Sequence, residues 1–179
     1  MIRAAICFIL AGLPCVASAQ PGGTARGAAR ADVVRPMSIE PAGDLQFGSI
    51  AVMAGRGGSV TVDPRTGAAT YNGAARPVCA GGDPCNAAPA LFVIRGDGNR
   101  RYRLTLPETV IARSADAPGT RLRVDGLSAF AMNGGTSGPD GVLDADGRDR
   151  VQVGGTLRIP VGTPPGRYAA RILVVATYS

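Results

Sequence analysis

Asp140, Asp144, Asp146 and Asp149 form an acidic stretch around Gly141 and Gly147. Carboxylates at alternate positions about a flexible glycine can wrap a hard cation such as calcium. The stretch lacks the terminal Glu and the flanking helices of an EF-hand, so a solvated turn in which Asp and Gly favour tight bends is the preferred reading, and no metal is called for. Cys79 and Cys85, separated by AGGDP, are the other chemical pair. An even pair in an exported chain reads as a disulfide, and the flexible residues between them let the sulfurs meet. Redox work is disfavoured because the spacing is not C-x-x-C and no neighbouring cation lowers a thiol pKa.

Catalysis has little footing elsewhere. The chain has no His, which removes His-based triads, dyads and zinc sites. Glu40 and Glu108 are the only glutamates, and each adjoins a Pro at a segment boundary rather than an apolar pocket. An aspartate pair acting on glycosides is the residual enzymatic route. Gly55, Gly57 and Gly58 are followed by no Lys that could hold a phosphate and read as a hairpin turn. The expectation is a protein that is not an enzyme and carries no cofactor.

The elements that would position these residues begin with an export signal. MIRAAICFILAGLPCVASAQ carries Arg3, an apolar stretch from Ala4 to Leu13, and the small-x-small ending Ala17-Ser18-Ala19, which predicts cleavage after Ala19. The apolar stretch is shorter than the roughly 20 residues of a spanning helix, so no membrane span is expected. Residues 20–31 hold no bulky apolar side chain and read as a flexible leader; residues 32–179 read as one domain.

The formal net charge is +6 and Lys is absent. With arginines spread from Arg26 to Arg171, no clustered basic face for nucleic acid is expected.

Within the domain, apolar residues recur with period near two between Gly, Pro, Asn and Asp. Strands are expected at about 32–39, 45–53, 58–63, 68–72, 90–96, 101–106, 108–113, 120–125, 127–132, 155–161 and 167–178. Tyr102, Leu104 and Leu106 alternate with Arg101, Arg103 and Thr105, and Leu157, Ile159 and Val161 with Thr156, Arg158 and Pro160. One face is core and the other wet. The fold class is therefore all-β, an antiparallel sandwich, with irregular loops at 76–89 and 133–149.

The segments LQFGSIAV, GGSVTVDPRTGAATYNG, ALFVIRGDGNRRYRLTLP and VGGTLRIPVGTPPGRYAARILVVATYS together resemble the bacterial family called domain of unknown function 4402. The resemblance implies an immunoglobulin-like sandwich in an exported protein, similar in form to spore coat protein U and fimbrial subunits.

Gly166, fourteenth from the end, and the penultimate Tyr178 look like the C-terminal signature of subunits assembled by a chaperone and an usher. Tyr168, Ala170, Ile172, Val174, Ala176 and Tyr178 would share one face of that strand. The resemblance implies that it borders a groove filled first by a periplasmic chaperone strand and then by a like subunit. The candidate donor face is Val33, Met37 and Ile39, interrupted by Arg35 and by Pro36 and Pro41, which lack backbone donors.

The leading expectation is a periplasmic, surface or extracellular structural or adhesive subunit. A self-contained secreted module that binds carbohydrate or protein through its loops is the alternative.

Overall fold

Short runs of β-branched and aromatic residues broken by Gly and Pro cannot satisfy their backbone groups alone, so this chain must close its hydrogen bonds across strands. The computed structural model describes residues 24–79 and 87–179, and among them every regular element is a strand. The signal-peptide reading and the first part of the leader lie outside the described residues. Two units separate, Met1–Val33 and Val34–Ser179. In the first, residues 24–33 carry no strand.

The second unit opens with β1 (Ser38–Gly43), β2 (Gln46–Phe47), β3 (Ile50–Val52), β4 (Gly58–Val62), β5 (Ala69–Gly73) and β6 (Ala75–Pro77). Next come β7 (Ala87–Ala88), β8 (Ala90–Arg95), β9 (Arg101–Thr105), β10 (Thr109–Ser114) and β11 (Arg121–Ala131). It closes with β12 (Thr136–Ser137), β13 (Asp140–Val142), β14 (Arg148–Ile159), β15 (Tyr168–Ala169) and β16 (Val175–Tyr178).

All pairings are antiparallel. The larger sheet runs β1-β8-β14-β11-β10-β15, and a smaller sheet runs β13-β9-β16. The long β14 organises the larger one. Along one edge it pairs with β11; along the other it pairs with β8 from Arg148 to Val153 and then with β4 from Gly155 to Ile159. The exchange of partner falls at Gly154 and Gly155, where a side chain on Gly154 would overlap the carbonyl oxygen of Val62.

Two cores result. The larger gathers Ile94, Tyr102, Leu104, Ala129, Ala131, Leu143, Val151 and Val153, and closes the smaller sheet over β8, β14 and the second half of β11. The other gathers Ala112, Leu122, Val124, Leu157 and Ile159 under the first half of β11. The architecture is thus the expected all-β antiparallel sandwich, with its smaller sheet covering only part of the larger.

Several segment readings need correcting. The strand expected over 32–39 begins only at Ser38. The expected pair 120–125 and 127–132 is one strand, β11: Gly126, at φ +62°, makes a bulge between Asp125 and Ser128 rather than a turn. The stretch 133–149, expected irregular, contains β12 and β13 and the first residues of β14. β3 pairs with β6 and β4 with β5, so the turn at Gly55 joins different ladders instead of closing a hairpin. At Pro160 the ladder ends, and Val161, expected in the core, is exposed.

Candidate functional site

The C-terminal segment was expected as one strand over 167–178. It is instead two: β15 pairs with β10 in the larger sheet, and β16 pairs with β9 in the smaller. Ala170–Val174, between them, has no strand beside it among the described residues. Nothing in its composition forbids one. Ile172, Leu173 and Val174 favour strands, and neither Gly nor Pro intervenes. The alternation survives the break in part: Val174 is buried, Tyr168, Ile172, Ala176 and Tyr178 are half-buried, and Ala170 is exposed.

Beside the first part of this stretch, Ala170–Ile172, lies a groove of about 1610 Å³, while Ile172 and Val174 pack on the larger core. Its floor is the smaller core, with Ala112, Leu122, Val124, Leu157 and Ile159 each 4–7% exposed. One wall is the segment containing β2 and β3, whose Phe47, Ile50 and Val52 are half-buried against that floor; the other is the chain leading from Gly162 through Tyr168 to Ile172. The physical cause is the short second sheet: β9 and β16 cover the larger core, while the smaller one is flanked by segments with only brief ladders. Phe47, Ile50 and Val52 were not singled out from sequence. They lay within the strand expected at 45–53 and the family-like segment LQFGSIAV, which Gly48, at φ +75°, breaks into β2 and β3.

Tyr168 lies in this groove, and its hydroxyl donates to the carbonyl of Pro164 at 2.7 Å. Gly166 packs against Ser114 and Asp116, and the Arg167 amide donates to Asp116 Oδ2 at 2.8 Å. Tyr178 has a different task. Its hydroxyl donates to the Arg35 carbonyl at 2.7 Å and accepts the Asp97 amide at 2.7 Å, while the Arg35 amide donates to Asp97 Oδ1 at 3.2 Å. The penultimate tyrosine thus clasps the entry to β1 onto the turn after β8.

The candidate donor face is divided in the same region. Val33 is 96% exposed, but Met37 and Ile39 pack on the larger core, and Ile39 pairs with Ile94. These two residues are committed to their own domain.

The four aspartates also serve separate ends. Asp140 forms a two-pronged pair with Arg103 at 2.8 and 3.2 Å, and that hydrogen bond holds its carboxyl below the ordinary range. Asp144 Oδ1 accepts the Arg148 amide at 2.7 Å and shapes the turn into β14. Asp149 is buried: it accepts the Tyr102 hydroxyl at 2.6 Å and the amides of Asn133 and Arg150 at 3.0 and 2.7 Å. Burial first, then the hydrogen bond and charge of Asp149, push the Tyr102 phenol well above its ordinary value. Asp146 stands in the turn before β14. No group of three or more such ligands converges among the described residues. Cys79 is disulfide-bonded; Cys85 lies outside the described residues.

No helix among the described residues is long and apolar enough to cross a membrane. Searches of curated proteins and of solved structures return no match. A family model described as a domain of unknown function, DUF4402, matches residues 37–178. From Met37, just before β1, to Tyr178, which ends β16, the match takes in both cores and the groove: the chain belongs to the DUF4402 family.

Proposed function

We propose that this protein is a non-enzymatic, exported structural or adhesive subunit, fimbria-like or coat-like, that receives an added β-strand in the groove beside Ala170–Ile172. One observation carries the reading: a strand-forming stretch runs without a partner strand along a groove floored by apolar side chains. An extended segment laid there would complete the ladder with its backbone and set alternate side chains towards Leu122, Val124, Leu157 and Ile159. The natural partners on this reading are a periplasmic chaperone and like subunits. The immunoglobulin-like form belongs to the same proposal, as does pairing of Cys79 with Cys85. Intact mass after alkylation, with and without reductant, should show thiols only after reduction, and free thiols in unreduced protein would refute the pairing.

The test is capture of a synthetic extended peptide with alternating bulky apolar residues by the signal-free protein. Wild type should bind. Ile50→Asp, which puts a charge on the half-buried wall, should weaken capture by roughly tenfold or more, since seating the peptide would then bury an unpaired carboxylate. Tyr178→Phe should melt lower, through loss of the clasp on Arg35 and Asp97, yet still capture. A wild-type protein that is monomeric, melts cooperatively and captures neither peptide nor chaperone would sink the reading and leave the secreted binding module in front.

A further inference from the structure

The arginines that are scattered in sequence do not stay scattered in the fold. In the ladder of β10 with β11, Arg113 stands directly opposite Arg121; in the ladder of β11 with β14, Arg123 stands directly opposite Arg158. Arg121 and Arg123 are two residues apart on one strand, so all four project from the same wet face, opposite the buried Leu122, Val124 and Leu157. Residues directly opposite have Cβ atoms about 5 Å apart, and like charges so placed are destabilising.

Only Asp125 offsets them on these strands, at 2.9 Å from Arg158 and 4.0 Å from Arg123. Arg113 and Arg121 have no ion-pair partner among the described residues. Arg123 and Arg158 remain more than 60% exposed.

Ile111, 43% exposed, faces Arg123 on the same surface; on the β4 side of β14 the surface is polar. Across β14, Ser59 faces Arg158 and Thr61 faces Thr156, with the two threonine hydroxyls 2.9 Å apart; Asn72 then faces Ser59 across β5. The one aromatic side chain on this face of β10, β11, β14, β4 and β5 is the half-buried Phe130, opposite Gln152 and six residues along β14 from Arg158.

We propose that this face binds an anionic polysaccharide, its acid groups bridging the facing arginine pairs and its hydroxyls meeting the Ser, Thr and Asn rows. Guanidinium forks recognise carboxylate and sulfate-like groups through paired N–H donors, and an anion between facing arginines removes their mutual repulsion. A single-stranded nucleic acid would want aromatic platforms for successive bases beside the cations, and none of the residues flanking the two arginine pairs is aromatic. The site lies on the surface of the sheet opposite the groove, so it does not depend on strand addition.

The experiment uses fluorescently labelled dextran sulfate as probe and uncharged dextran as control, with the signal-free protein at about 0.1 M salt. Wild type should bind dextran sulfate and ignore dextran. Arg113→Thr with Arg121→Thr, which removes an unpaired like-charge couple and leaves strand-compatible side chains, should bind roughly tenfold more weakly, with a shallower salt dependence. The charge control is Arg101→Thr with Arg26→Thr, which removes the same charge elsewhere and should bind as wild type. Equal weakening by both double variants would reduce the effect to net charge and overturn the proposal. No binding of dextran sulfate by a folded wild type would do the same, and tighter binding of a single-stranded oligonucleotide would replace the glycan by nucleic acid.

Discussion

Asp149→Ala should destabilise the domain by about 3 to 5 kcal/mol, because the substitution strands three donors at a buried position. The carboxylate is 2% exposed and accepts the Tyr102 hydroxyl on Oδ2 and the amides of Asn133 and Arg150 on Oδ1. Those amides sit where β11 turns away and where β14 begins, and Tyr102 is the largest fully buried side chain. One carboxylate therefore fixes the smaller sheet, the turn after β11 and the start of the central strand to one another. Alanine leaves the Tyr102 hydroxyl buried without an acceptor, at about 1 to 3 kcal/mol, takes the acceptor from the two part-buried amides, and empties a carboxylate-sized space in the interior. Asp149→Asn should cost less, since its carbonyl oxygen still serves one set of donors. The measurement is the denaturant midpoint with the slope checked for two-state behaviour. A loss under about 1 kcal/mol would show that the network does not hold the sheets.

The same contact sets a response to alkali. The Tyr102 phenol is raised above its ordinary 10.0 by burial and by Asp149. A group whose folded pKa lies above its unfolded value contributes stability that is intact below the unfolded pKa and is lost as pH rises towards the folded one. Wild type should therefore lose stability above about pH 10, and Asp149→Ala, without the hydrogen bond and charge, should lose it over a narrower span of pH.

Much of the framework was legible because burial on one side of a sheet leaves a period of two. Tyr102 and Leu104 are buried and Arg101 and Arg103 exposed, as the alternation in RYRLT requires. The same reasoning found the core residues Leu157 and Ile159, whereas the family was legible only through the resemblance of whole segments.

It failed where the outcome depends on which strand lies alongside. The sequence from Ala170 to Val174 has every local property of a strand, and only its neighbours decide that it runs unpaired. Gly126 reads as a turn until β14 is seen to pair with β11 on both sides of it. Arg121 and Arg158 seem unrelated in sequence because register, not spacing, places them on one face. The acidic stretch reads as one cluster until Tyr102, Arg103 and the Arg148 amide each claim a different aspartate.

Gly147→Ala should cost about 3 kcal/mol or more, and comparison with Gly162→Ala separates the causes. Both glycines hold left-handed backbone, at φ +77° and +76°. A Cβ on Gly162 would meet nothing within 4 Å, so its substitution should cost only the backbone strain, about 1 kcal/mol. A Cβ on Gly147 would overlap the carbonyl oxygen of Gly96 and press on the Gly98 amide, and backbone cannot step aside as a side chain can. The two turns it would force apart are joined by the Gly96 amide donating to the Gly147 carbonyl at 2.8 Å and the Asn99 amide donating to the Asp144 carbonyl at 2.9 Å. The Tyr178 hydroxyl bonds the next amide along, at Asp97, so displacing this turn also loosens the clasp on Arg35. Thermal melts should place Gly147→Ala several degrees below Gly162→Ala, with faster amide exchange at Arg35 and Asp97 in the former alone. Equal melting temperatures would mean that strain dominates and the close approach of the two turns contributes little.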